Sequence, residues 1–164
     1  MDQRVNGYLF VHFTGESPDG EQVYFALSRD GMHWQDLNGG RPVIRSGMGE
    51  KGVRDPFIIK SVIDGKFYII ATDLRIAGNK GWTAAQMEGS TRIIVWCSED
   101  LLHWSEPWSF ETGIPGAGCA WAPEAIYDPE KGSYLVFWAS MTKEPGDSAH
   151  KQRIYCSYTR DFRV

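Results

Sequence analysis

Short apolar stretches broken by polar turns run the length of this chain and recur in order. Val23-Tyr24-Phe25-Ala26-Leu27, Ile93-Ile94-Val95-Trp96-Cys97 and Ile154-Tyr155-Cys156-Ser157-Tyr158 are rich in β-branched and aromatic residues and bounded by turn formers. That pattern predicts strands. Each stretch is followed by the same polar signal: Ser28-Arg29-Asp30-Gly31-Met32-His33-Trp34, then Ser98-Glu99-Asp100-Leu101-Leu102-His103-Trp104, then Thr159-Arg160-Asp161-Phe162-Arg163-Val164. Short hydroxyl and carboxylate side chains bond to nearby backbone amides and so suit a turn. The signal predicts a strand–turn–strand unit in which Asp and His are scaffold, with the Trp packing back on the sheet. A second repeat interleaves with the first. Asp55-Pro56-Phe57-Ile58-Ile59 leads to Gly65-Lys66-Phe67-Tyr68-Ile69-Ile70-Ala71, and Pro123-Glu124-Ala125-Ile126-Tyr127 leads to Gly132-Ser133-Tyr134-Leu135-Val136-Phe137-Trp138.

Each unit holds about four strands and recurs every 60–70 residues or so, the spacing of tandem antiparallel propeller blades. The expected fold is all-β: a β-propeller fragment of about two and three-quarter four-stranded blades. Residues 1–52 form a first blade without its opening strand, because Gly7 to Phe13 matches the second strand of the unit. Residues 53–119 form a complete blade, and 120–164 a truncated one. No long helix is expected. Residues 76–92 form a polar insertion around Trp82, the kind of long loop that carries binding. Open blade edges predict self-association.

Composition narrows the function. The chain has 164 residues, a net charge of −4 and scattered Lys and Arg. This excludes a polyanion-binding face, so no nucleic-acid partner is expected. No apolar run is long enough for a membrane span or a secretory signal, so no membrane partner is expected and location, cytoplasmic or secreted, stays open. Cys97, Cys119 and Cys156 are odd in number and lack metal spacing, which predicts buried free thiols, with no metal site and no cofactor. There is no phosphate-binding glycine loop and no nucleophile elbow. Aromatic residues reach 13%, enough for a packed β core and for stacking surfaces that would receive sugar rings.

The inner strands of a propeller line its central channel. Asp55 and Glu124 stand where those strands open, on either side of the matched prolines. Converging carboxylates are what glycoside hydrolysis requires, one to protonate the leaving oxygen and one to activate water. Asp-Pro and Pro-Glu also mark ordinary strand starts. Arg54 is a candidate to hold a carboxylate charged or to bind a substrate hydroxyl. Trp82 and Trp121 are candidates for stacking on a sugar face, or else for loop and core packing.

Val53-Arg54-Asp55-Pro56-Phe57-Ile58-Ile59, followed by Gly65 to Asp73, resembles the first-blade motif of glycoside hydrolase family 43. Ala120-Trp121-Ala122-Pro123-Glu124-Ala125-Ile126-Tyr127, followed by Gly132-Ser133-Tyr134, resembles that family's second-blade motif. The resemblance covers nearly the whole chain. It implies a five-bladed propeller and inverting hydrolysis of plant-type oligosaccharides or polysaccharides containing arabinose or xylose, with Asp55 as general base. It puts the acid and a third carboxylate, which tunes the acid, in later blades. Glu124 then becomes a channel-wall or substrate contact, and the isolated chain has little activity. Two rival readings remain. One is a sialidase-like propeller, whose Asp-box turn resembles the repeated signal but carries Thr where His33 and His103 stand. The other is a non-catalytic carbohydrate-binding or interaction propeller.

Overall fold

The repeated apolar stretches become ten strands in three antiparallel sheets in a computed structural model that describes residues 7–78 and 80–163. The first sheet is β1 (Tyr8–His12), β2 (Tyr24–Ser28) and β3 (Trp34–Asp36). The second is β4 (Val53–Lys60), β5 (Phe67–Asp73), β6 (Arg92–Ser98) and β7 (Trp108–Glu111). The third is β8 (Trp121–Asp128), β9 (Ser133–Thr142) and β10 (Lys151–Thr159). Each runs in simple meander order. One short helix, α1 (Trp82–Met87), lies in the insertion between β5 and β6. The sequence repeat is also a register repeat. Tyr8 pairs with Ser28, Phe67 with Ser98, and Tyr134 with Thr159. This is the all-β, blade-by-blade architecture the repeats predict.

The core lies between sheets, because a strand points alternate side chains to opposite faces. In β5, Ile69 and Ala71 pack toward the first sheet, where Val11, Val23 and Phe25 join Ile94 and Trp96. Tyr68 and Ile70 point the other way, toward Ala125, Tyr134, Val136 and Trp138 of the third. The middle sheet is therefore buried on both faces, which is why β6 reads Ile93-Ile94-Val95-Trp96 without alternation. Each such side chain contributes about 1.5–3 kcal/mol by leaving water.

The outer sheets are covered on one face only. Tyr8 and Phe10 stay exposed on the first, Ile126 and Ile154 on the third. The repeated tryptophan shows the difference. Trp104 reaches across to Phe25 of the preceding sheet, ring centroids 5.9 Å apart. Its counterpart Trp34 meets no preceding sheet among the described residues and lies against Phe10 at 5.5 Å. The thiols depart from the expectation of burial. Cys119 is buried and Cys97 half-buried, but Cys156 is exposed, because it stands on the open sheet.

The turns work as their side chains predict. Ser28 Oγ accepts the Gly31 amide at 2.8 Å, and Asp30 Oδ1 accepts the Met32 and His33 amides at 2.9 and 2.8 Å. Ser98 and Asp100 repeat this with Leu101, Leu102 and His103. In both turns a His Nδ1 lies 2.7 Å from the second carboxylate oxygen. The fourth position, after the Asp, needs a left-handed backbone: Gly31 has φ 76°, Leu101 67° and Phe162 57°. Only Gly adopts it without steric cost. Phe162 has a compensation that Leu101 lacks. It is fully buried between Tyr68 and Tyr134, at 4.7 and 5.0 Å, and its carbonyl accepts the Trp108 indole N–H at 2.8 Å.

Leu101→Gly should therefore stabilise the chain by about 0.5–1 kcal/mol, whereas Phe162→Gly should cost about 3–5 kcal/mol through the lost ring. Urea unfolding of the two variants checks the opposite signs. The turn carboxyls give a pH expectation. The His33 amide, then its ring and the Met32 amide, hold Asp30 well below the usual carboxylate range. The His103 ring first, then the same pair of amides, do so for Asp100. A depressed folded-state value means the turns are intact above the unfolded Asp value and loosen as acid is added. Hydrogen exchange at Met32, His33, Leu102 and His103 should be flat from neutrality to about pH 4 and rise below it, once corrected for intrinsic exchange.

Candidate active site

The candidate site is built on a defect in strand pairing. The β4–β5 register slips between Arg54 and Phe57, and Asp55 takes φ 49°. Pro56 follows, which removes a ladder donor and disfavours the right-handed α region at Asp55. The β8–β9 register slips in the same way between Trp121 and Glu124, with Ala122 at φ 49° before Pro123. The two bulges superimpose the motifs residue by residue: Arg54 on Trp121, Asp55 on Ala122, Phe57 on Glu124. Bulges re-aim side chains and recur beside active sites, and a strained backbone at an acidic residue is a marker of function.

Asp55 is fastened from below. Its Oδ2 accepts a hydrogen bond from Thr72 Oγ1 at 3.1 Å. Thr72 is fully buried and itself accepts the Ala122 amide at 2.8 Å. Arg54 turns elsewhere. Its Nη1 donates to Glu21 Oε1 at 3.0 Å, with Glu16 farther off at 3.9 Å. Its guanidinium lies between two rings, 4.6 Å from the Phe13 centroid and 4.9 Å from that of Trp82. The carboxylate that Arg54 holds is thus Glu21, not the adjacent Asp55. Glu21 is only 1% exposed and also accepts the Ile76 and Ala77 amides, at 2.8 and 2.9 Å. Those amides open the insertion that carries Trp82.

Trp82 begins α1 and is 44% exposed. Its ring meets Trp121 edge-on at 6.0 Å, and Trp121 packs on the small cluster of Leu74, Ile76 and Ala85. A second buried acid braces the same end of the sheet. Burial pushes the Asp73 carboxyl up, and it accepts the Glu50 amide at 2.8 Å. Gly49 has φ 57° and passes so near that a Cβ there would overlap the Asp73 carboxylate. Glu50 pairs with Lys80 and accepts the Arg75 amide at 3.2 Å. The structure therefore brings Asp55, Arg54, Trp82 and Trp121 together. Glu124 stands apart. It is exposed and sits opposite Phe137, while its neighbour Ala125 is the residue that turns into the core against the second sheet. Strand alternation directs it to the open face of the third sheet, away from β4.

A family model described as "Probable glycosyl hydrolase domain", of the glycoside hydrolase family 43-related type, matches residues 3–164. The chain belongs to this family. A curated alpha-L-arabinofuranosidase of Bifidobacterium longum subsp. longum is 31% identical over 175 residues. The match covers 95% of this chain and 16% of the relative. Among solved structures, a fructofuranosidase of Schwanniomyces occidentalis superimposes on 99% of the chain with TM-score 0.63 and 15% identity, over 29% of its own length. An exo-beta-1,3-galactanase of Phanerochaete chrysosporium covers 93% with TM-score 0.56 and 10% identity, over 36% of its own. At such identities the two structures show the shared propeller fold. The family 43-related domain thus spans only a minor part of the length of these relatives.

Three residues of the candidate site in this family 43-related domain carry no signal singled out in the sequence: Phe13, Glu21 and Thr72. Thr72 had a legible signal, a hydroxyl next to the final acid of a strand in the quoted motif. Phe13 and Glu21 flank a polar loop, and no local pattern ties them to Arg54 more than thirty residues on. The Glu21 arrangement has a direct consequence. Glu21→Ala should destabilise the domain by about 3–5 kcal/mol, since it strands a buried guanidinium and two amides. Glu21→Gln should recover part of that loss, as read by denaturant midpoints.

Proposed function

We propose that this domain carries the general base, Asp55, of an inverting glycosidase acting on arabinose- or xylose-containing polysaccharides. The observation that carries the proposal is the aimed carboxylate. Asp55 stands on a bulge with a left-handed backbone, one oxygen held by Thr72, which also binds the amide of Ala122 next to Trp121, and Trp121 meets Trp82. The 31% identity to an arabinofuranosidase favours arabinose. In the proposed chemistry a water is held by the free oxygen of Asp55 and loses its proton to it while attacking the anomeric carbon. A carboxylic acid on the far side protonates the leaving oxygen. Arg54 keeps Trp82 in place through its ring contact, its charge being taken up by Glu21. The base and the acid must lie about 6.5–9.5 Å apart with the water between them. Glu124 faces away from β4, and the acid belongs to later blades, so these three blades alone turn over little substrate.

Two measurements on the purified chain test this. Calorimetry with arabino- and xylo-oligosaccharides should show weak binding that falls about tenfold in Trp82→Ala or Trp121→Ala, and that also falls in Asp55→Ala. Binding indifferent to Asp55 would instead favour a non-catalytic carbohydrate module. With aryl arabinofuranosides and xylosides, hydrolysis should be near background. Robust turnover abolished by Asp55→Ala would refute the need for later blades while supporting Asp55. The isolated chain should also self-associate through the open faces of β1–β3 and β8–β10. A monodisperse monomer in light scattering would overturn that expectation.

A further inference from the structure

We infer that Thr72 is the positioning residue for Asp55, and that the backbone of the neighbouring blade sets it. The inference rests on the reading of Asp55 as a base only for its functional meaning; the coupling itself is geometric. A threonine hydroxyl has one proton to give and two lone pairs to receive. Here the Ala122 amide occupies a lone pair from 2.8 Å. The hydroxyl proton is thereby directed away from Ala122, and the acceptor within reach is Asp55 Oδ2 at 3.1 Å. Thr72 is fully buried on β5, so no water competes for that proton, and a β-branched side chain has few rotamers with which to escape.

The direction of the chain of bonds matters. It runs from an amide of the third sheet, through a side chain of the second, to a carboxylate at the mouth of the second. Among the described residues the Asp55 carboxylate accepts no other hydrogen bond, so Thr72 alone selects which oxygen is occupied and leaves Oδ1 for a water. Ala122 is the bulge residue that corresponds to Asp55 in the next unit. A displacement of the third blade therefore reaches Asp55 through one intervening side chain, and the carboxylate is aimed only when that blade is docked.

The test uses the isotope-labelled chain. Three-bond couplings report the Asp55 χ1 rotamer, and hydrogen exchange reports the Ala122 amide. The native chain and Thr72→Ser should show one Asp55 rotamer and a protected amide. Thr72→Val, of equal shape, should show averaged Asp55 couplings and about tenfold faster exchange at Ala122, the loss of one buried hydrogen bond. A single, unchanged Asp55 rotamer in Thr72→Val would overturn the inference. So would averaging in Thr72→Ser equal to that in Thr72→Val. If Thr72→Val does not fold, Asp55→Ala decides. It should move the Ala122 amide resonance through Thr72, and an unmoved resonance overturns the relay. None of these readouts needs hydrolysis, so failure of the glycosidase reading leaves them intact and is seen separately in the assays above.

Discussion

The carboxylate of Glu21 is the constraint on which the site depends. It is nearly inaccessible to water, and a buried charge persists only when it is fully paired. Its three partners come from two places: the guanidinium of Arg54 on β4, and the amides of Ile76 and Ala77 at the root of the insertion. The Glu21 carbonyl in turn accepts the Val53 amide at 2.8 Å, so the acid grips both its neighbours and the first residue of β4. Once Arg54 is drawn to Glu21, its flat face is left between Phe13 and Trp82. Trp82 then reaches Trp121, and the aromatic wall of the site is complete. Remove the acid and each later contact loses its reference point.

Around this polar knot the structure is ordinary sheet packing. The middle sheet is covered on both sides and supplies most of the fully buried aliphatic residues, among them Ile69, Ile70, Ile93 and Ile94. Polar bonds between sheets are few and specific. The Val62 amide donates to the Tyr134 hydroxyl at 2.7 Å, and the Trp108 indole donates to the Phe162 carbonyl. Such bonds fix how one sheet sits on the next, while apolar contact supplies the energy. The Ala122–Thr72–Asp55 chain belongs to the same class, and its last member is the carboxylate proposed as the base.

Much of this was legible in residues alone, for an identifiable reason. Strand alternation and the Ser-x-Asp turn are local, so their physics is written within a few positions. The left-handed turn residue and the paired bulges at Pro56 and Pro123 are local too, but they emerge only in the structure. Partnerships across sheets are not local. Nothing near Glu21 or Phe13 announces Arg54, and Arg54 beside Asp55 in sequence reads as its partner until the strand sends the guanidinium the other way. Glu124 shows a related limit. It lies next to the right proline but one pleat out of phase, so its matched residue is Phe57 and its face is the open one. The exposed Cys156 repeats the point, since burial depends on whether a further sheet covers that face.

The twin bulges have a consequence for how such a fold acquires chemistry. The same backbone kink occurs in two units, but a carboxylate occupies only one of them. The other holds Ala122, and the position on β9 matching Thr72 is Ala139, with no hydroxyl. The third unit therefore keeps the bulge geometry while bearing neither the acid nor its support. Its amide is instead lent to the loaded copy next door. The unit without a carboxylate thereby becomes part of the frame that holds its neighbour's.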